Sequence, residues 1–478
     1  MFKQALLATC LFAAIAAPAM AGTAVTLKHQ PPDGAGIMFQ LTDGTVLAQG
    51  GQGNDTWKLT PDNTGSYVNG TWTQLPNLPT GYEPYAQASA VLADGRVVFV
   101  GGEYNFGQFL LTNLCAIYDP VANTWTNLAP PKTWAYIGDS PSSVIPDGRY
   151  VVGRKLDKTV AALDPKTLTW TLLGNKGKKD FNAEEGWTLL PNGTILTYDV
   201  KKSPNSEIYD PIKQVWKSAG STVANLMSPP AEKSIQYPGG VYHPPGEVGP
   251  GILRPDGTVF ATGSLHAGAK AGHTAIYTPG ANGAIGTWAA GPDFPNGDDA
   301  GDNFAVLLPT GNVLVQGSSG TLYEFNGTTL TASSVNGQGN SLMVLPTGEV
   351  LVGGEFVYRA SGSVNPAWAP TITQSPATVT RGSTYKITGT QFNGLSQAAA
   401  FGDELETATN YPLVRITNTA TGHVFYARTH DHSTMGVATG STPVSTNFDV
   451  SSKTETGAST LVVEANGIPS TPVNVTVQ

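Results

Sequence analysis

One phrase recurs seven times along this chain, and it limits what the chain can fold into. LPTGNVLVQG begins at Leu308 and LPTGEVLVGG at Leu345. LPNGTILTYD begins at Leu190, RPDGTVFATG at Arg254 and IPDGRYVVG at Ile145. Two looser copies, LTDGTVLAQG and LADGRVVFVGG, begin at Leu41 and Leu92. Each is an apolar pair, a tight turn and a second apolar arm. The turns centre on Asp43-Gly44, Asp94-Gly95, Asp147-Gly148, Asn192-Gly193, Asp256-Gly257, Thr310-Gly311 and Thr347-Gly348. Asp-Gly and Asn-Gly favour the positive φ angles of a two-residue hairpin turn. Each copy therefore reads as a β-hairpin.

A second signal follows several hairpins: YDPVANTW (118–125), LDPKTLTW (163–170), YDPIKQVW (209–216) and a longer version from Tyr277 to Trp288. An aromatic or apolar residue, a turn and a Trp make a second hairpin with the Trp on its outer strand. Two hairpins give a four-stranded sheet, spaced near the roughly 50-residue period of kelch blades. One such sheet cannot bury both faces, so the sheets must stack around an axis. The reading is an all-β chain with a seven-bladed kelch-type β-propeller over residues 22–366. The tryptophans are assigned to the interfaces between blades rather than to sugar-stacking platforms.

Past Ala367 the rhythm changes. APTITQSPATVTRGSTYKITGTQF, YPLVRITNTATGHVFYART and STLVVEANGIPSTPVNVTVQ are short alternating strands. Residues 367–478 read as an immunoglobulin-like β-sandwich, without the Cys…Trp…Cys pattern of antibody domains. Charged residues make up 13% of the chain against 56 Gly and 35 Pro, which suits a turn-rich all-β protein. The net charge is −9 and no basic run occurs, which argues against nucleic acid as a partner. Residues 1–21, MFKQALLATCLFAAIAAPAMA, read as a signal peptide cleaved after Ala21, placing the protein in the periplasm or outside the cell. The apolar run is too short for a membrane span. The processed chain keeps one cysteine, Cys115, so no internal disulfide is expected. A monomer is expected.

The arrangement resembles the galactose oxidase and glyoxal oxidase family, most specifically in YAQASAVLADGRVVFVGG (85–102) with YDPVANTW, and in VVEANGIPSTPVNVTV near the end. The resemblance implies a kelch propeller followed by an immunoglobulin-like domain. It also implies oxidation of alcohols or aldehydes by one copper ion and a tyrosyl radical, with two Tyr and two His as ligands and a Tyr–Cys cross-link. Tyr85 approaches the position of the cross-linked tyrosine, but lies one residue too far from Asp94-Gly95. Such a slip turns a strand side chain to the other face. The cysteine partner belongs in the preceding blade, and Cys115 lies downstream. Tyr242-His243 stands about a dozen residues before Asp256-Gly257, too early for the second pair, and Glu247-Val248 occupies that strand head. His432, in RTHDHSTMG, falls at the position of the last ligand, accompanied by His430. Copper is thus considered and disfavoured.

Another pattern occupies the same register. Asp139, Glu184 and Asp302 lie seven residues before the usual turn-Pro position, and Glu247 lies eight before its own. If the blades superpose, the four converge at one mouth of the axial channel as a ligand-binding ring. The competing reading is ordinary solvated strand heads. His430-Asp431-His432, if extended, presents two imidazoles on one face. They are candidate ligands for a divalent metal or candidate acid–base groups; alternatively, one His plugs the channel. His266 and His273 are read as belonging to a Gly-rich loop. Candidate catalytic residues are His432, His430, Tyr85, Glu184 and Asp302. No P-loop, GxSxG or HExxH motif occurs.

The function expected is an exported galactose-oxidase-like propeller without copper–radical chemistry. It would bind a carbohydrate or another cell-surface ligand at the axial mouth. The alternatives are a carbohydrate-active enzyme, either an oxidase with an altered metal site or a hydrolase/lyase, and a protein-binding scaffold.

Overall fold

The structure is a computed structural model that describes residues 21–51, 53–237, 240–281, 284–337, 341–401 and 407–478. Of the signal-peptide reading, residues 1–21, all but Ala21 lie outside the described residues. Seven antiparallel sheets follow one another along the chain, six with four strands and one with a fifth strand, Ala399–Ala400, added to it. Their innermost strands are Ala35–Gln40, Ala88–Val91, Ser142–Val144, Thr188–Leu189, Val248–Leu253, Ala305–Leu307 and Leu342–Val344. Successive inner strands neighbour one another, and the last returns to the first, so the sheets are the blades of a seven-bladed propeller. The outermost strand of the seventh blade comes from the other end of the chain. Thr23–Thr26 pairs with Phe356–Arg359, placing Val25 opposite Val357. This closure carries no repeat signal and is absent from the sequence reading.

The turns differ from expectation in type. Only the Gly of each centre has positive φ, and a three-residue loop joins the arms: Gly44 N–H donates to Leu41 O, and Leu41 N–H to Thr45 O. This is a type I turn closed by a left-handed glycine. The Asp belongs there because its carboxylate accepts the N–H two residues on, as Asp43 does from Thr45 and Asp256 from Thr258. The Cβ of an alanine at Gly257 would meet nothing within 4 Å, whereas one at Gly44 would land in the Tyr426 ring. Gly257→Ala should therefore cost about 1 kcal/mol, for the left-handed backbone alone. Gly44→Ala should cost about 3 kcal/mol, because overpacking adds to it. Urea denaturation of the two variants checks the ranking.

The tryptophans join blades. Trp125 packs on Phe99 and donates to Thr56 Oγ1 of the preceding blade, and Trp288 donates to Ser206 Oγ and Ala219 O.

From Thr371 onward a nine-stranded sheet curls until its halves face each other as a sandwich, with Ile387, Phe392, Val414, Phe448 and Leu461 between them. The sandwich covers the mouth where the hairpin turns lie. Thr429 N–H donates to Thr42 O, Met435 N–H to Pro146 O, and Val424 N–H to Asn63 O. One segment enters the ring. Ala399 and Ala400 pair with Val306 and Ala305, and Gln397 bonds to Ser143 and to the Leu189 N–H. Phe401 contacts Phe304 at a ring-centroid distance of 4.8 Å. Among the described residues it is Gln397–Phe401 that enters the ring, not the histidine-bearing stretch expected from the sequence.

Candidate functional site at the open axial mouth

The mouth opposite the sandwich holds a cavity of about 450 Å³, within the usual range for ligand pockets. Glu103, Asp139, Glu184, Glu247, Asp302, Tyr85, Phe304 and Phe401 are among its lining residues. The register that groups the four acids in sequence therefore also brings them to one place.

Local backbone explains how they get there. Glu184 and Asp302 have φ of 58° and 48°, and Ala86 holds the same register in blade 2 with φ of 53°. In blades 3 and 5 the left-handed residue is Gly138 or Gly246, one position before Asp139 or Glu247. A left-handed residue breaks the strand alternation at its head and re-aims the next side chain. Non-glycine residues held there store strain, which clusters at functional positions. Asp302 N–H donates to Val248 O, which sets Asp302 beside Glu247.

The sequence reading missed Lys155 and Glu103. Both leave the second arm of an inner hairpin, where a single charged residue carries no signature of its own. Lys155 is fully buried, and its ammonium contacts Asp139, Glu184 Oε1 (2.7 Å) and Glu103 Oε1 (3.4 Å). It also lies 5.0 Å from the centre of the Tyr242 ring, whose hydroxyl donates to Glu184 Oε1. Among the described residues, one buried cation thus pairs directly with three of the five carboxyl groups.

The resulting electrostatics favour protons. Burial, then Glu184 and Asp302, pushes the Glu247 carboxyl up to about 11. Asp302 is open to the cavity but deep in the protein mass; desolvation, then Glu184, raises it to about 7. Glu103 is raised by burial against the pull of Lys155. Burial opposes the charge on Lys155, but Asp139 and Glu184 hold it well above the ordinary lysine range. The Glu247 and Asp302 carboxyls are neighbours in the pocket. Near neutral pH the pocket thus offers both a protonated acid and a titrating carboxylate.

An aromatic series crosses one wall. Tyr85 meets Tyr104 at 5.9 Å, Tyr104 meets Phe109 at 5.7 Å, and Phe109 stacks on Tyr242 at 6.4 Å. Tyr85 is 71% exposed on the rim. Pro84–Tyr85 pairs with Tyr104–Asn105 in a small separate sheet, and left-handed Ala86 divides it from the inner strand. Tyr242 reaches the site although the sequence reading sets it aside, while His243 is exposed.

His430 and His432 are not among the cavity's lining residues. Asp431 has a φ of 52°, so the stretch is not extended and the expected shared face is lost. His430 bonds to Asp431 (2.7 Å) and Asp449 (3.1 Å). His432 is buried, its Nδ1 meets Thr446 Oγ1 at 2.9 Å, and desolvation holds its pKa down at about 3. It is a neutral interior imidazole. His266 and His273 lie near each other, 5.0 Å between ring centroids, with Asp293 on His273.

The chain matches a fungal alcohol oxidase of the AA5 family, solved in complex with copper, with 14% identity and a TM-score of 0.50, over 96% of this chain and 99% of that one. The fold is galactose-oxidase-like. A catalytically inactive variant of virginiamycin B lyase from Staphylococcus aureus, solved with quinupristin, matches with 9% identity and a TM-score of 0.46, over 70% of this chain and 97% of that one. No protein-family model and no curated protein matches the chain.

The copper–radical ligand set that the sequence resemblance implies does not fit the described residues lining this mouth. Among the described residues lining the cavity there is no histidine and no cysteine. Cys115 is buried inside blade 2, paired across the sheet with Val100 and Leu128, and burial pushes its thiol up to about 12. The ammonium of Lys155 takes up Glu184 and faces Tyr242.

Proposed function

We propose that this protein is exported and binds a carbohydrate of the cell surface or surroundings at the open axial mouth, without copper–radical chemistry. The observation that carries the reading is the convergence of Asp139, Glu184, Glu247 and Asp302, from four consecutive blades, on a cavity edged by exposed Tyr85. Carboxylates accept pairs of sugar hydroxyls, and a protonated carboxyl donates to a ring or hydroxyl oxygen. An open tyrosine face offers apolar area to the C–H face of a sugar. Few cations oppose the acids, which disfavours anionic sugars and favours neutral or amino sugars.

A glycan array probed with the wild type and Tyr85→Ala tests this. Retention of neutral or amino glycans by the wild type is expected, with binding about tenfold weaker in the variant, or about 1.4 kcal/mol. Thermal stability should be unchanged, because the ring is exposed. Failure to retain any glycan, or equal retention by both proteins, contradicts the proposal. So does one tightly held copper ion in the purified protein.

A second reading, a hydrolase or lyase acting on the bound glycan, draws on the split between Glu247 and Asp302. Carboxyl groups pushed apart in pKa within one pocket suit an acid and a base. If Asp302 is the base it must be ionised, so turnover should rise as pH climbs through about 7. If Glu247 is the acid, turnover should fall only as pH approaches about 11. A glycan that is retained but never turned over from pH 5 to 11 leaves binding alone.

A further inference from the structure

A second charged cluster lies beside the axial site and takes no part in it. Glu184 and Glu185 are consecutive, yet they face different compartments. Glu184 lines the axial cavity, whereas Glu185 turns into blade 4 and meets Asp180, Asp199 and Glu207. All four acids are buried, at 2%, 0%, 2% and 2% exposed for Asp180, Glu185, Asp199 and Glu207. The one buried cation among them is Lys178, which reaches Glu185 Oε2 at 2.5 Å and Glu207 Oε2 at 3.1 Å. Four carboxylates against one ammonium leave a formal charge of −3 inside the protein.

Hydrogen bonding divides these acids into two kinds. Asp180 is satisfied by the N–H groups of Phe181, Lys201 and Lys202, and Glu207 by those of Lys179 and Asp180. Asp199 is not, and Glu185 is satisfied only at Oε2, which accepts from Lys178 and from the Thr197 hydroxyl. Both oxygens of Asp199 and Oε1 of Glu185 are buried and receive no donor among the described residues. The polar group facing Asp199 is another carboxyl, that of Glu207. Buried acceptors without donors are costly. Here they point at the same small volume, because one oxygen each from Asp180, Glu185 and Asp199 lies within 4.8 Å of the others. Oxygens no farther apart than this can share one cation at bonds of about 2.4 Å, the reach of oxygen ligands around calcium.

We propose that Asp180, Glu185 and Asp199 hold one divalent, oxygen-seeking cation, with calcium the best fit. An all-oxygen, carboxylate-rich set selects calcium, magnesium or manganese over softer metals. The larger ion suits a buried protein cage, since magnesium keeps its water. The cation supplies the charge that Lys178 alone does not, and it pins the segment from which Glu184 enters the axial cavity. Its role is structural, and it stands whether or not a sugar binds at the mouth.

The test uses full-length protein stripped with a chelator, and Asp199→Asn and Glu185→Gln variants. Calcium titrated into the wild type should bind at one ion per chain and raise the melting temperature. Each variant should lose at least tenfold in affinity. Terbium is a second probe, because Trp216 lies 4.3 Å from the Lys178 ammonium and can sensitise its emission. Emission that calcium displaces supports the site even should a variant fail to fold. The proposal is overturned by a stripped wild type that binds neither calcium nor terbium, or by an ion that both variants retain at full affinity.

Discussion

Replacing Lys155 with methionine is expected to destabilise the protein by about 3–5 kcal/mol at pH 8, the range for removing one partner of a buried ion pair. The side chain is fully buried, and its ammonium is the common partner of Asp139, Glu184 and Glu103. Methionine fills similar volume, so the loss reports charge rather than a cavity. The deficit should also depend on pH in a defined direction. Asp302 has a folded pKa of about 7, above its ordinary 3.8. A carboxyl raised in this way contributes stability that is fully present below 3.8 and lost as pH rises through about 7. Without Lys155 the acids depend still more on protons, so the deficit should shrink between pH 8 and pH 5. Urea denaturation at the two pH values reads both effects. A deficit below about 1 kcal/mol, the scale of an exposed pair, or one that grows on acidification, would contradict this account of the pocket.

Removing the first strand should have a comparable effect through a different cause. A chain beginning at Leu27 lacks Thr23–Thr26, the outer strand of the seventh blade. The strand contributes a ladder with Phe356–Arg359 and the half-buried Val25, which packs on a cluster containing Val46, Leu351 and Val357. A few ladder hydrogen bonds at about 1 kcal/mol each, with partial burial of one valine, amount to roughly 4 kcal/mol. The larger consequence is topological. This ladder ties the two chain ends of the ring within one sheet, so the truncated chain should unfold over a broader range and expose the edge Phe356–Arg359. Thermal melting followed by circular dichroism shows this as a lower, broader transition. A melt that overlays the full chain would mean that the ring closes without this strand.

Much of the fold was legible because its signals are local. An Asp-Gly turn needs only the two residues and the N–H that the Asp accepts, so all seven inner hairpins could be counted. The Trp after each DP-type turn reports the outer hairpin in the same way. The closing strand TAVT is four residues long and mostly exposed, with no alternation to mark it. The acids at 139, 184, 247 and 302 could be grouped because they share a register, and a register becomes a position once blades superpose. Lys155 could not be foreseen. Its burial results from residues of blades 2, 3 and 4 meeting in space, which no local pattern encodes. The histidines were misplaced for a local reason: the two-residue alternation assumed for His430-Asp431-His432 is cancelled by one left-handed residue, Asp431. The described part of the segment that enters the ring, Gln397–Phe401, carries no titratable group to draw attention to it.

The most direct test of the central claim is difference density from crystals soaked with the glycan that the array retains most strongly. Sugar density between Glu247, Asp302 and the Tyr85 ring, hydrogen-bonded to at least one of the two acids, is the predicted result. Density on the outer blade surfaces or on the sandwich, with the axial cavity holding only solvent, would contradict it.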